Sequence, residues 1–223
     1  MSKVWEPPRV AATHEIACID EPTLKQALAA LQRGPIKFRR NNVIACEGDA
    51  ADYVFLVVSG VVRSCKTFEN GGRNVVAFYL PGDLFGWGDQ KCTLSVEACT
   101  DAMVLFIKRD GLMSIAAQEN RVASSLLSIA TNELRRAQDH AVLMSQSAKA
   151  RLVSFLTDWS KRSGGTRHVS VPMSYQDVAD HLGITIETIS RTLTALERSE
   201  LITRVSPHTL TIRNNRALLR LIT

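Results

Sequence analysis

The sequence predicts an α+β chain with an antiparallel β module first, a long helix next and a compact helical module with a β-hairpin last. Three observations carry that reading. Between about residues 35 and 108, runs rich in Val, Ile, Phe and Tyr (YVFLVV, VVRSCKTF, VVAFYL) alternate with turn signals at EGD 47–49, SG 59–60, ENGG 69–72 and PGD 81–83. Strands so spaced and punctuated by glycine indicate a sandwich or barrel. Residues 111–145 contain no proline and, after Gly111, no glycine, while small and apolar residues recur there at steps of three and four, the period of a helix face. From 173 onward, MSYQDVADHLG, ITIETISRTLTALERSE, LITRVSPHTLTIR and NNRALLRLI read as helix, helix, β-hairpin and helix.

These boundaries give a β module over 1–110, a helix over 111–145 and a C-terminal module over 146–223. The chain has 223 residues, 45% hydrophobic and 22% charged, an ordinary globular balance. No apolar run approaches the ~20 residues needed to span a bilayer, and MSKVWEPPRVAATHEI lacks the apolar core of a secretory signal. A cytoplasmic protein with no membrane partner is expected. The net charge of +5 is unevenly placed: residues 146–223 hold 11 Lys/Arg against 6 Asp/Glu, whereas residues 1–145 hold 16 of each. A basic module beside a neutral one points to a polyanion partner. Cys18, Cys46, Cys65, Cys92 and Cys99 are odd in number and form no CxxC pair, so neither a disulfide framework nor a local metal knuckle is indicated.

Taken in order, EPTLKQALAALQR (21–33) has helical spacing, and ENGG supplies residues that tolerate φ > 0 for a hairpin. In the long helix, Ala123, Leu126, Ala130, Leu134, Ala137, Ala141 and Met144 form one stripe. Its small residues let two helices approach, as in a coiled-coil dimer seam; the same stripe would also serve to pack on the β module. Val122, Leu127 and Ile129 lie off it and are available for that second purpose. A second helix, 147–162, ends at SGG 163–165, which opens a loop to Pro172.

Residues 174–198 carry the chemistry. Ser174 with Asp177 makes a capping box, Gly183 supplies the permissive residue of a tight turn, and Thr185 can cap the next helix. Ile189, Leu193 and Leu196 fall on its inner face, leaving Glu187, Thr188, Ser190 and Arg191 outward on its first two turns. A recognition helix needs this arrangement, because its N-terminal turns enter the major groove of double-stranded DNA. Arg suits a bidentate grip on guanine, and Glu accepts from cytosine N4. Glu187 and Arg191 are also four apart, the spacing of an exposed helix ion pair. An enzyme has little support: no Ser-His-Asp ordering, paired-carboxylate cleft or phosphate loop stands out. A ligand-binding module whose helical end contacts protein remains the competing class.

LGITIETISRTLTALE (182–197) resembles the recognition segment of the CRP/FNR superfamily, in particular its FNR–FixK branch. VIACEGDAADYVFLVVSGVVRS followed by FYLPGDLFG is similar to that superfamily's cyclic-nucleotide-binding-type β-roll, and LMSQSAKARLVSFLTDWSKR to the join between dimerisation helix and DNA-binding domain. The resemblance implies a β-roll, a long dimerisation helix and a C-terminal winged helix-turn-helix acting as a homodimer. It assigns base reading to Glu187, Ser190 and Arg191, matching an E-x-x-S-R set, and phosphate contact to Ser174 and Gln176; Thr185 and Thr188, at the start of the recognition helix, are further candidates for the DNA backbone. Tyr175 stands where an arginine can occur. Ile186 replaces the arginine that cAMP receptor proteins carry, which favours a TTGAT-N4-ATCAA palindrome over GTGA half-sites.

The family's sensors are missing. The stretch matching its nucleotide site, GWGDQKCTLSVEACTD (86–101), has Lys91 but no arginine, and a point charge replaces a bidentate fork poorly. An FNR-type iron–sulfur cluster needs grouped N-terminal cysteines, and here Cys18 stands alone; haem ligation fails because no histidine lies between His14 and His140. The expectation is a FixK-like activator with no cofactor, controlling genes of oxygen limitation, respiration or nitrogen fixation. By the same resemblance, Glu69, Asn70 and Arg73 of one hairpin, and the 162–171 loop, are candidate contacts for RNA polymerase.

Overall fold

In the computed structural model, residues 21–88, 90–165 and 167–222 are described; Cys18 and His14 lie outside them. The order is α1 (Pro22–Leu31), β1 (Gln32–Phe38), β2 (Val43–Ala45), β3 (Tyr53–Ser59), β4 (Val62–Thr67), β5 (Arg73–Tyr79), β6 (Leu84–Phe85), β7 (Ser95–Ala98), β8 (Ala102–Lys108), α2 (Arg109–Gln118), α3 (Asn120–Leu143), α4 (Ala148–Arg162), β9 (His168–Ser170), α5 (Tyr175–Leu182), α6 (Ile186–Arg198), β10 (Ile202–Ser206), β11 (Thr209–Ile212) and α7 (Asn215–Leu219). Two compact units result. The first holds the described residues up to Lys66 with Ala77–Arg135, and the second holds Thr67–Val76 with Arg136 onward. No described helix is long and apolar enough to cross a membrane.

The β-roll is built from two four-stranded sheets, β1-β8-β3-β6 and β2-β7-β4-β5. Side chains alternate across a strand, so β3 sends Phe55 and Val57 between the sheets and Val54 and Leu56 to the opposite face. In β8, Val104 and Phe106 point inward while Leu105 and Ile107 point outward. A sheet buried on both faces reads as a continuous apolar run, which explains YVFLVV. The outward set packs with Leu24, Ala27 and Leu28 of α1, Leu112 of α2, and Val122 and Leu126 of α3. Between the sheets, Tyr79 stacks on Phe85 with ring centroids 3.9 Å apart, and Phe55 meets Phe106 edge-on at 5.0 Å. The ENGG turn forms with Gly71 at φ +79°, and Gly60 at +81° lies where a Cβ would strike the Asp101 carbonyl.

Two features of the helical region differ from expectation. The 111–145 helix is interrupted at Glu119, whose φ of −118° and ψ of 97° are extended. Leu112 and Val122 are both fully buried in one core; on an uninterrupted helix, ten positions would separate them by ~15 Å along the axis and about 80° around it. The break brings both to the same apolar cluster. Second, Leu126, expected on the dimer seam, is 7% exposed within the β-roll core, while Leu127 is 69% exposed and Leu134 59%. Val122 and Ile129 do pack inward. The outward stripe therefore runs Leu127, Ala130, Leu134, Ala137 and Ala141, all exposed, at alternating steps of three and four.

Tyr79 adds a polar tie, its hydroxyl donating to Glu133 of α3 at 3.2 Å. Burial, reinforced by the Glu133 charge, raises its pKa far above the usual phenol range. Arg63 is buried beside Glu97, with 2.6 Å between Nη2 and Oε2.

Candidate nucleic-acid interface

In the second unit, α5 and α6 are set by local chemistry. Ser174 accepts from the Asp177 backbone N–H at 3.1 Å while Asp177 accepts from that of Ser174, the capping box expected from the sequence. Gly183 closes α5 in the left-handed region at φ +60°. Thr185 caps α6 by accepting from the Thr188 N–H at 3.2 Å, and the two threonine hydroxyls lie 3.1 Å apart. Ile189, Leu193 and Leu196 are buried. Glu187, Ser190 and Arg191 are exposed together on the first turns of α6.

The expected Glu187–Arg191 pair takes another form. Arg191 Nε reaches the Glu187 backbone carbonyl at 3.4 Å. The Glu187 pKa is lowered chiefly by its own backbone N–H, then by the Thr185 hydroxyl and Arg191. Gln176 is exposed and donates to Asp180 Oδ1 at 2.5 Å. Tyr175 donates its hydroxyl to the Pro207 carbonyl at 2.8 Å, so this side chain braces the hairpin tip. Met144, placed on the seam by its spacing, is partly buried, and a Cβ at Gly183 would lie 3.9 Å from its Sδ.

The hairpin β10–β11 is joined by β9, giving a three-stranded sheet in the order β10-β11-β9. The sequence predicts only a loop at 163–172; three residues of strand are too few to show a period. Arg204 of β10 ties this wing to α6. Its Nη2 lies 2.7 Å from Glu197 Oε2, its Nε donates to the same oxygen at 2.9 Å, and its backbone N–H to Oε1 at 3.0 Å. These bonds lower the Glu197 pKa, the backbone one most. The pair has no signature in the sequence, because a helix residue and a strand residue seven apart share no local period.

Glu69 and Asn70 are exposed on the 68–72 turn. Arg73 is not a free contact: its Nη2 lies 2.6 Å from Asp177 and 2.7 Å from Asp180. His181 is likewise engaged, with Nδ1 2.9 Å from the Val75 carbonyl and its ring stacked 4.3 Å from that of His140. Burial, then the His140 charge, depress the His181 pKa to about 4.

A β-roll followed by a helix-turn-helix with a wing defines the class of DNA-binding transcription regulators. Residues 35–119 match the family model of the cyclic nucleotide-binding domain, and residues 150–221 that of the Crp-like helix-turn-helix domain. The nitrogen fixation regulation protein FixK of Azorhizobium caulinodans is 41% identical over 203 residues, 88% of this chain and 82% of that protein. The transcriptional activatory protein AadR of Rhodopseudomonas palustris is 33% identical, covering 75% of this chain and 72% of its own length. The structure of FixK2 from Bradyrhizobium japonicum superposes with a TM-score of 0.82 at 34% identity, over 85% of this chain and 97% of that one. The chain belongs to the CRP/FNR superfamily, in its FixK-like branch.

Proposed function

We propose that the protein binds a TTGAT-N4-ATCAA-like palindrome as a homodimer and acts mainly as an activator. The observation that carries this reading is the joint exposure of Glu187, Ser190 and Arg191 on the first turns of α6, beneath a capped N-terminus. Arg191 takes a guanine and Glu187 a cytosine N4, while Ser174, Gln176, Thr185 and Thr188 meet phosphates. Ile186 is partly exposed beside them; its apolar side chain cannot grip a guanine, which favours TTGA over GTGA. Two copies pair along Leu127, Ala130, Leu134, Ala137 and Ala141.

A cyclic nucleotide does not fit the β-roll. Its phosphate would need an arginine in 86–101, where only Lys91 stands, and the buried Arg63 is held by Glu97. Between the sheets, Phe55, Tyr79, Phe85 and Phe106 belong to one buried apolar cluster, which offers a charged phosphate no partner. Against an iron–sulfur cluster, Cys65 and Cys99 are buried while Cys46 is exposed. Burial, then the Asp49 charge, raise the Cys92 pKa, away from a reactive thiolate. Regulation therefore falls on the protein's abundance, turnover or thiol state. The target genes are those of oxygen limitation, respiration or nitrogen fixation; the name of the FixK relatives, nitrogen fixation regulation proteins, supports the last of these. Exposed Glu69 and Asn70 reach RNA polymerase; Arg73 instead ties its hairpin to α5.

The test is retardation of a TTGAT-N4-ATCAA duplex without added nucleotide. Affinity should fall by orders of magnitude between ~50 and 200 mM salt as phosphate contacts are screened. No retardation at low salt, or binding that ignores salt, overturns the reading.

A further inference from the structure

Arg151, in the first turn of α4, is shared among four main-chain carbonyls. Its Nη2 donates to Met144 at 2.6 Å and its Nε to Gln146 at 3.0 Å. Its Nη1 donates to Leu182 at 3.0 Å and to Gly183 at 3.4 Å. Carbonyls at helix ends lack partners within the helix, and a cation there also meets the negative end of the dipole. One guanidinium thus serves two such ends, that of α3 and that of α5, while its own backbone N–H donates to the Ser147 carbonyl at 2.9 Å. A Cβ at Gly183 would lie 3.4 Å from Nη1, so the turn between α5 and α6 rests against this side chain.

We infer that Arg151 is a positioning residue for DNA reading. It sets the direction of α6 relative to the end of α3 and so determines which half-site spacing the dimer accepts. The inference rests on the palindrome reading proposed above. Between Leu143 and Ala148 the chain has only a turn and the Ser147 cap, and rotation there would swing the whole reading head. Adding one base pair between half-sites moves the second by about 3.4 Å and turns it by about 35°. A firmly held α6 rejects that displacement, whereas a loosely held one follows it. The planar fork reaches both helix ends at once; a lysine ammonium on the same stem cannot.

The experiment titrates full-length wild type, Arg151→Met and Arg151→Lys against TTGAT/ATCAA duplexes with spacers of three, four and five base pairs. A fourth duplex keeps the four-base-pair spacer and replaces the guanine of one half-site. Wild type should prefer the four-base-pair spacer by about tenfold or more, and Arg151→Met should narrow that preference to about threefold or less. The penalty for losing the guanine should stay within about twofold of wild type, because the base-reading side chains are untouched. If Arg151→Met does not reach a native circular-dichroism spectrum, Arg151→Lys, which keeps stem and charge, should show the same narrowing. Unchanged spacer preference in a folded variant overturns the inference. So does a wild type that accepts all three spacers, or a variant whose spacer and guanine preferences collapse together. A wild type that retards none of the duplexes overturns the DNA reading itself, and the role of Arg151 falls with it.

Discussion

The Arg73 guanidinium lies 2.6 Å from the Asp177 carboxylate across 104 positions of sequence. Asp177 is almost fully buried and, as the third residue of α5, also closes its capping box with Ser174. Its negative charge is therefore tolerated because Arg73, the Ser174 N–H and the helix N-terminus all meet it. Removing the guanidinium leaves a buried carboxylate short of partners. Arg73→Met should destabilise the protein by about 1–3 kcal/mol, read as a lower urea midpoint at constant slope. Glu69→Ala on the same hairpin, where the side chain is exposed, should leave the midpoint in place. Equal midpoints for both variants would remove the tie from any account of α5.

This relationship also shows where sequence reading ends. The α5–α6 module was legible because its determinants are local: Ser174 with Asp177, Gly183, Thr185, and Ile189, Leu193 and Leu196 on one face. The β-roll was legible from glycine-punctuated apolar runs. Arg73 with Asp177 is a long-range match between two hydrophilic residues, which no local pattern predicts. Glu119 breaks a helix without Gly or Pro, because burial of Leu112 and Val122 overrides propensity. Leu126 and Leu127 are adjacent, about 100° apart on the helix, and both satisfy a three-and-four spacing. Only the position of the β-roll core decides which turns inward.

That register is itself testable. Leu126→Ala should cost about 2–5 kcal/mol of stability through lost burial and a cavity beneath α3, with dimerisation retained while the protein is folded. Leu127→Glu and Leu134→Glu should leave the melting temperature of the β-roll nearly unchanged and shift sedimentation towards monomer, weakening DNA binding with it. Dimers that survive Leu134→Glu would exclude the outward stripe as the seam.

Specificity should follow α6 residue by residue. Arg191→Ala should cost about 1–3 kcal/mol of DNA affinity and relax selectivity at one guanine. Ile186→Arg adds the bidentate donor that the site lacks, so it should shift preference from TTGA towards GTGA half-sites. Titrations on the two duplex sets measure both. Uniform weakening across all sequences by Arg191→Ala would make Arg191 a phosphate contact instead.

The His181 ring gives a pH dependence with a definite sign. It stacks on His140, meets Phe155 edge-on at 5.8 Å and bonds the Val75 carbonyl. Burial and the neighbouring His140 lower its pKa from 6.5 to about 4. That of His140 is lowered too, by burial and then by Arg151. The unfolded chain therefore binds protons that the folded state refuses, so stability is complete above pH 6.5 and is lost as pH falls towards 4. His181 alone should account for about 2 kcal/mol between pH 7 and 5. Paired carboxylates add their own acid sensitivity, so the measurement is the difference between wild type and His181→Phe, which keeps an aromatic ring against Phe155. Wild type should lose stability faster than the variant over that interval, in urea denaturation series at matched ionic strength. Parallel curves would mean that His181 is protonated in the folded state at the same pH as in the unfolded chain, and that its contact with His140 opens freely to solvent.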